Sequence, residues 1–164
     1  MPSAVQEELV EWASPAQEEA FFYGPDPLCG SGGFGSAKTY GFCMKVLYLC
    51  DTFPHNRGLI FRKVAKELKL TTMATFRKLV SADAFEKQDD INGVWRFKKS
   101  GSEILWLHME NPDIQTVLRG LEINWFFGDQ AEECEEEHID VLMARLGRWD
   151  QAIVPDELIQ AELR

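Results

Sequence analysis

The chain is 164 residues long, 45% hydrophobic and 12% aromatic, with a formal net charge of −10. That length suits one domain, and the apolar content excludes a disordered chain despite the charge. No run approaches the ~20 apolar residues of a membrane span, and the acidic start from Met1 to Trp12 lacks the basic and apolar regions of a secretory signal, so no membrane association is expected.

In chain order, Gln6 to Trp12 and Gln17 to Tyr23 read as short helices, the second opened by Ser14-Pro15-Ala16-Gln17, with proline in the first turn. Leu28 to Ser31 is a short apolar run bounded by Pro27 and glycines, consistent with a buried strand. Gly30 to Gly35 holds four glycines in six residues and must be a loop of unusual backbone shape. Thr39 to Cys50 is predicted as a buried helix, with Phe42, Val46 and Leu49 on one face and Leu47 and Cys50 beside it. Arg57 to Phe61 is predicted as a strand and Val64 to Val80 as an amphipathic helix. Val94 to Phe97 and Ile104 to Leu107 are predicted as two strands joined by a turn at Lys99-Ser100-Gly101-Ser102. A short helix opens at Asn111-Pro112-Asp113 and ends near Leu118. Ile123 to Phe127 is a continuous apolar strand closed by Gly128-Asp129. Glu133 to Leu146 follows as a helix with Ile139, Leu142, Met143 and Leu146 inward, and Pro155 to Leu163 as a last helix.

Strands alternating with helices, the first and last strands continuously apolar, predict an α/β domain: a mostly parallel sheet covered by helices on both faces. The hairpin near 93–108 is expected as an insertion or an antiparallel edge. Trp95, Phe97, Trp106 and Trp125 sit on strands and fit cross-strand packing better than base stacking.

The most specific signal is Gly32-Gly33-Phe34-Gly35-Ser36-Ala37-Lys38-Thr39, which fits the phosphate-loop pattern G-x-x-x-x-[G/A]-K-T between a strand and a helix. Glycines let backbone N–H groups face a phosphate, and the following helix aims its positive end at the same anion. Lys38 is placed to reach the β- and γ-phosphates, and Thr39 to offer a hydroxyl to Mg²⁺. Ala37 stands where the general pattern has glycine. Such a loop needs a carboxylate at a neighbouring strand end to hold the magnesium shell, and the strand running into Asp129 has that Walker B form. A base must orient water. Many such ATPases place glutamate directly after the aspartate; here that residue is Gln130, and Glu132 is the favoured base. The plainer alternative makes Glu132, with Glu133 and Glu135 to Glu137, the acidic start of a helix.

Charge is unevenly spread. Arg57 to Lys99 holds 11 of the 17 basic residues and 5 of the 27 acids, a local charge of +6 against −16 elsewhere. That polarity suits a nucleic-acid backbone, or simply a solvated basic face. The four cysteines have no CxxC pairing and read as reduced, buried thiols. Cys134 and His138 share a helical face, but two ligands make no structural zinc site.

Taken together, the chain resembles the N-terminal ATPase domain of phage large terminases. The residues carrying the resemblance are the loop Gly32 to Thr39, Arg57-Gly58-Leu59-Ile60-Phe61-Arg62-Lys63, Leu70 to Phe76, Leu118-Arg119-Gly120 and Asp129-Gln130-Ala131-Glu132-Glu133, spanning Gln17 to Trp149. The resemblance implies a P-loop fold of the additional-strand type, and an ATPase motor that uses ATP and Mg²⁺ to package viral double-stranded DNA into a procapsid. It implies sibling subunits in a ring, a portal and a small terminase subunit as partners, and the cytoplasm of an infected bacterial host as location. It gives Gln17 the place of an adenine-reading glutamine, the alternative being a solvent-facing residue. It gives Arg119 the place of an arginine finger acting on a neighbour's nucleotide, the alternative being a surface arginine. Many terminases carry arginine where Phe34 stands here. A further sheet strand and a C-terminal nuclease domain follow the Walker B segment in the family, so residues 1–164 are expected to be a single partial ATPase domain with no nuclease domain. The other readings are a non-hydrolysing nucleotide-binding module and a different P-loop ATPase, such as a helicase-like protein.

Overall fold

The computed structural model describes residues 38–156 and Leu158. The helices expected at Gln6 to Trp12 and Gln17 to Tyr23, the strand at Leu28 to Ser31 and most of the last helix lie outside them.

The described chain opens on α1 (Lys38–Thr52). Its inward stripe is Gly41, Cys43, Val46 and Cys50, spaced to keep one side of the helix on the sheet. Of the expected face Val46 is buried, and so is Cys50 beside it, while Phe42, Leu47 and Leu49 are only half-buried. β1 (Arg57–Arg62) follows, with every residue from Gly58 onward buried. The predicted long helix is divided into α2 (Ala65–Glu67), a π-helical segment (Leu68–Met73) and α3 (Ala74–Leu79). Then come β2 (Phe85–Asp89), β3 (Val94–Phe97) and β4 (Glu103–His108). α4 (Ile114–Arg119), β5 (Trp125–Gly128), a 3-10 turn (Ala131–Glu133) and α5 (Glu136–Met143) complete the described elements.

The strands form one sheet in the order β2-β3-β4-β1-β5. β1 pairs in parallel with both β4 and β5, while β2-β3 and β3-β4 are antiparallel. The sheet is therefore mixed rather than mostly parallel. The expected antiparallel hairpin is present, with β3 on the side of the antiparallel edge strand β2, but its second strand β4 is central, joined to β1 along its whole length from Arg57↔Glu103 to Arg62↔His108. Gly101, at φ +68°, makes the turn between β3 and β4, a conformation that costs glycine little.

Helices cover both faces. On one, α1, the π-helical segment and α3 bury Cys43, Val46, Leu68, Met73 and Phe76 against Ile60, Trp95, Ile104 and Trp106. On the other, α4 and α5 bury Ile114, Leu118 and Leu142 against Leu59 and Phe61. The alternation of Leu59, Ile60 and Phe61 between the two cores is the period-2 signature of a strand buried on both sides. α5 begins at Glu136 rather than Glu133, because Cys134 and Glu135 are extended. Met143, expected inward, is 40% exposed, and Leu146 lies past the helix, bridging in parallel to Ile123.

Candidate nucleotide and cation site

The parallel strands β1, β4 and β5 end together, and the C-terminal edge of that trio collects the polar residues of interest. β5 places Asp129 there. The β1-β5 ladder pairs Phe61 with Gly128, and Asp129 N donates to Phe61 O at 3.0 Å, so the carboxylate stands one residue past the paired strand. Gln130 turns the chain away, with left-handed backbone at φ +55°.

α1 reaches the same edge with its first described residues. The Phe42 ring stacks on Phe127 at 4.7 Å and 17° between planes, fixing the helix against β5. One helical turn back, Thr39 Oγ1 donates to Asp129 Oδ1 at 3.1 Å, joining residues 90 positions apart. The same helix brings Cys43 close: burial first, and then the negative charge of Asp129, push its thiol up to about 12. Asp129 Oδ2 accepts from Thr72 Oγ1 at 2.5 Å and lies 3.8 Å from Arg62 Nη1.

Thr39 and Asp129 thus place a hydroxyl and a carboxylate side by side, both hard oxygen donors. The Asp129 side chain is only 14% exposed. Such a set fits a small divalent cation that keeps most of its waters and borrows one or two protein ligands. Among the described residues no group of three or more His, Cys, Asp or Glu side chains could hold a metal ion.

Of the other residues singled out from sequence, Lys38 is half-buried at the start of α1. Gln17, Gly32, Gly33, Phe34, Gly35, Ser36 and Ala37 lie outside the described residues. Glu132 is exposed in the 3-10 turn, three residues past Asp129. Arg119 is exposed at the end of α4. Because α4 runs back between the parallel strands β4 and β5, Arg119 lies toward the opposite edge of the sheet from Asp129. Cys134 is half-buried and His138 is buried in α5; among the described cysteines Cys43, Cys50 and Cys134 are free thiols. No helix among the described residues is long and apolar enough to cross a membrane.

Sequence reasoning passed over Arg62, Thr71 and Thr72 as site residues. All three lie in segments that carry the resemblance, Arg57 to Lys63 and Leu70 to Phe76, and Arg62 is a charged residue closing an otherwise apolar strand.

No protein-family model matches the chain, and no curated protein matches it. Solved structures do. The large terminase of a thermophilic bacteriophage superposes with a TM-score of 0.62 at 16% identity, over 71% of this chain and 30% of that one. The same protein in complex with ADP gives a TM-score of 0.60 over 71% of this chain and 29% of that one, again at 16% identity. The large-terminase ATPase domain of Thermus phage P74-26 gives 0.51 at 16% identity, over 69% of this chain and 53% of that one.

The chain has the fold of a large-terminase ATPase domain. It spans about 30% of the length of the thermophilic phage's terminase. In this terminase-like fold, the Thr39–Asp129 pair sits where a strand end and a helix start converge, the place in open α/β sheets where ligands bind.

Proposed function

We propose that the chain is the ATP-binding and ATP-hydrolysing motor domain of a terminase-type machine that packages viral double-stranded DNA into a procapsid. The observation that carries this reading is the hydrogen bond from Thr39 to Asp129, which brings together the last residue of the phosphate-loop motif and the strand-end carboxylate. The thermophilic phage's terminase, of like fold, is known in complex with ADP, which supports a nucleotide as ligand.

In this reading Gly32 to Ala37 wrap the phosphates with backbone N–H groups, and Lys38 pairs with the β- and γ-phosphates. Gln17 reads the adenine edge. Thr39, through its hydroxyl, and Asp129, through its carboxylate, would hold Mg²⁺. When bound, the ion supplies neutralisation of the charge that builds on the phosphate oxygens. Glu132, exposed in the 3-10 turn after Asp129, is the carboxylate this reading assigns to orient the attacking water. Arg119, exposed and remote from its own Asp129, acts on a sibling subunit's nucleotide in a ring. Lys63, Lys66, Lys69 and Lys78 are exposed on the segment after β1 and give the DNA backbone a basic face. Portal and small terminase subunit complete the assembly, in the cytoplasm of the infected host.

One observation favours a second reading, a nucleotide-binding module without turnover: Gln130 follows Asp129, accepts from Arg62, and supplies no carboxylate.

Thermal unfolding with and without Mg²⁺–ATP, on the parent chain and on Lys38→Ala, tests the binding step. A ligand at ~100 times its dissociation constant stabilises the folded state by about 2.7 kcal/mol. We expect that shift in the parent and its loss in the variant. A cooperatively melting parent with no shift sinks the proposal. Phosphate release by the same chain separates the motor reading from the silent one.

A further inference from the structure

Arg62 has no part in the chemistry above, yet it is built into the site. It is the last residue of β1, and its side chain is only 9% exposed. Its guanidinium meets four groups from three segments. Nη1 donates to Thr71 Oγ1 at 2.5 Å and lies 3.8 Å from Asp129 Oδ2. Nη2 donates to Gln130 Oε1 and pairs with Glu67 Oε2 at 3.1 Å. Nε is buried with no hydrogen-bond partner. A buried arginine with an unsatisfied nitrogen is costly as a mere structural strut, because desolvation is offset only in part.

The Asp129 carboxylate consequently has two sides. Oδ1 takes the Thr39 hydroxyl in the first turn of α1. Oδ2 takes the Thr72 hydroxyl and faces Arg62. Thr71 and Thr72 lie in the π-helical segment, and Thr71 Oγ1 also donates back to Glu67 O at 2.7 Å. A π-helical turn is rare and weaker than α-helix, and it recurs at functional sites. Here the extra residue places two successive hydroxyls toward Arg62 and Asp129.

We infer that Arg62 is a positioning residue for the cation carboxylate: with Thr72 it fixes Asp129 so that Oδ1 is presented beside Thr39, and it ties that orientation to the π-helical segment through Thr71 and to the strand end through Gln130. This rests on the magnesium–nucleotide reading of the same site. Only a planar fork can reach Thr71, Asp129, Gln130 and Glu67 at once; a lysine ammonium keeps the charge but not the geometry. Groups that orient a metal ligand from behind typically change metal affinity by about 10–100-fold when removed.

The test is the Mg²⁺ midpoint for binding of a fluorescent ADP analogue, measured on the full chain, on Arg62→Lys and on Thr72→Val. The midpoint should rise about tenfold or more in both variants, while affinity for the analogue without Mg²⁺ stays within about twofold. Thr72→Val keeps side-chain volume and carries the test if Arg62→Lys does not fold. Folded variants with lowered melting temperature and an unmoved Mg²⁺ midpoint would reduce Arg62 to a structural strut and overturn the inference alone. A parent chain whose analogue binding ignores both Mg²⁺ and Lys38→Ala overturns the nucleotide reading, and this inference with it.

Discussion

The two ends of the parallel strands each carry a half-buried or buried carboxylate beside arginine, and they are built to opposite purposes. At the N-terminal end, Glu103 is 5% exposed and is held from both flanking strands. Arg57 Nε donates to one oxygen at 2.7 Å and Arg96 Nε to the other at 2.8 Å. Around it Asn56 Oδ1 accepts from Arg57 N at 2.9 Å and from Asn124 Nδ2 at 3.1 Å. Every strong acceptor position is taken, so nothing is left for a ligand. At the C-terminal end, Asp129 takes two hydroxyls, and its arginine stands off at 3.8 Å. Hydroxyls can accept a cation or a water while still donating, whereas a saturating guanidinium cannot. A carboxylate closed by arginines reads as a clamp between strands; one lined by threonines reads as a site.

Asp129→Asn is the sharpest way to break that contrast. The amide keeps the shape and the bond from Thr39 but loses the charge that would attract Mg²⁺. We expect phosphate release to fall by at least ~100-fold, and the Mg²⁺-dependent part of the thermal shift to vanish, with little change in unliganded stability. A variant that retains both responses would place the cation elsewhere.

Glu103→Gln should do the reverse. Burial works to raise the Glu103 carboxyl, and the hydrogen bonds and charges of Arg96 and Arg57 outweigh it, holding it below its ordinary value of 4.5. A depressed carboxyl stabilises the fold above its unfolded value, and that contribution fades as pH falls through the folded one. Removing one partner of a buried pair costs ~3–5 kcal/mol; with the Arg96 side chain 46% exposed, about 2 kcal/mol is expected. Urea unfolding should therefore show the full deficit at pH 7 and a shrinking one below about pH 4.5, where the parent loses the same contribution. The nucleotide response should stay at parent level. A deficit that is flat with pH would mean Glu103 is not the charged member of the clamp.

Local chemistry explains what could be read from the sequence. β1, β3, β4 and α4 were legible because their apolar spacing matches their burial, whereas α1 was legible as a helix but not in its full buried stripe, which includes Gly41 and Cys43. β2 was not: in Phe85-Glu86-Lys87-Gln88-Asp89 only Phe85 is buried, and the strand exists because it pairs with β3 at the sheet edge. The π-helical segment was also hidden, since Leu68 to Met73 carries no glycine or proline to mark it. Hairpin logic put β3 beside β4 correctly, but nothing local says that β4 then runs parallel to β1, a pairing set by the β1-to-β4 crossover. The same limit applies to the site. Thr39 and Asp129 announce themselves through motif chemistry, whereas Arg62 and Thr72 acquire meaning only once β1 lies against β5.

The smallest expected effect refines the clamp end. The Arg57 guanidinium lies 3.5 Å from the centre of the Trp149 ring, and Trp149 Nε1 donates to His55 O at 2.7 Å, so the segment after α5 closes over the base of the sheet. An exposed cation–π contact contributes ~0.5–1 kcal/mol and a neutral hydrogen bond about as much. Trp149→Leu should lower stability by about 1 kcal/mol, or about 2–4 °C in melting temperature for a chain of this size. Arg57 would keep Glu103, so the acid dependence should persist. Combined with Glu103→Gln, the two losses should fall short of their sum, because both act through Arg57. Strict additivity would mean that Trp149 anchors its own segment and leaves the clamp alone, and any change in the Mg²⁺-dependent shift would mean that the two ends of the sheet are coupled rather than separate.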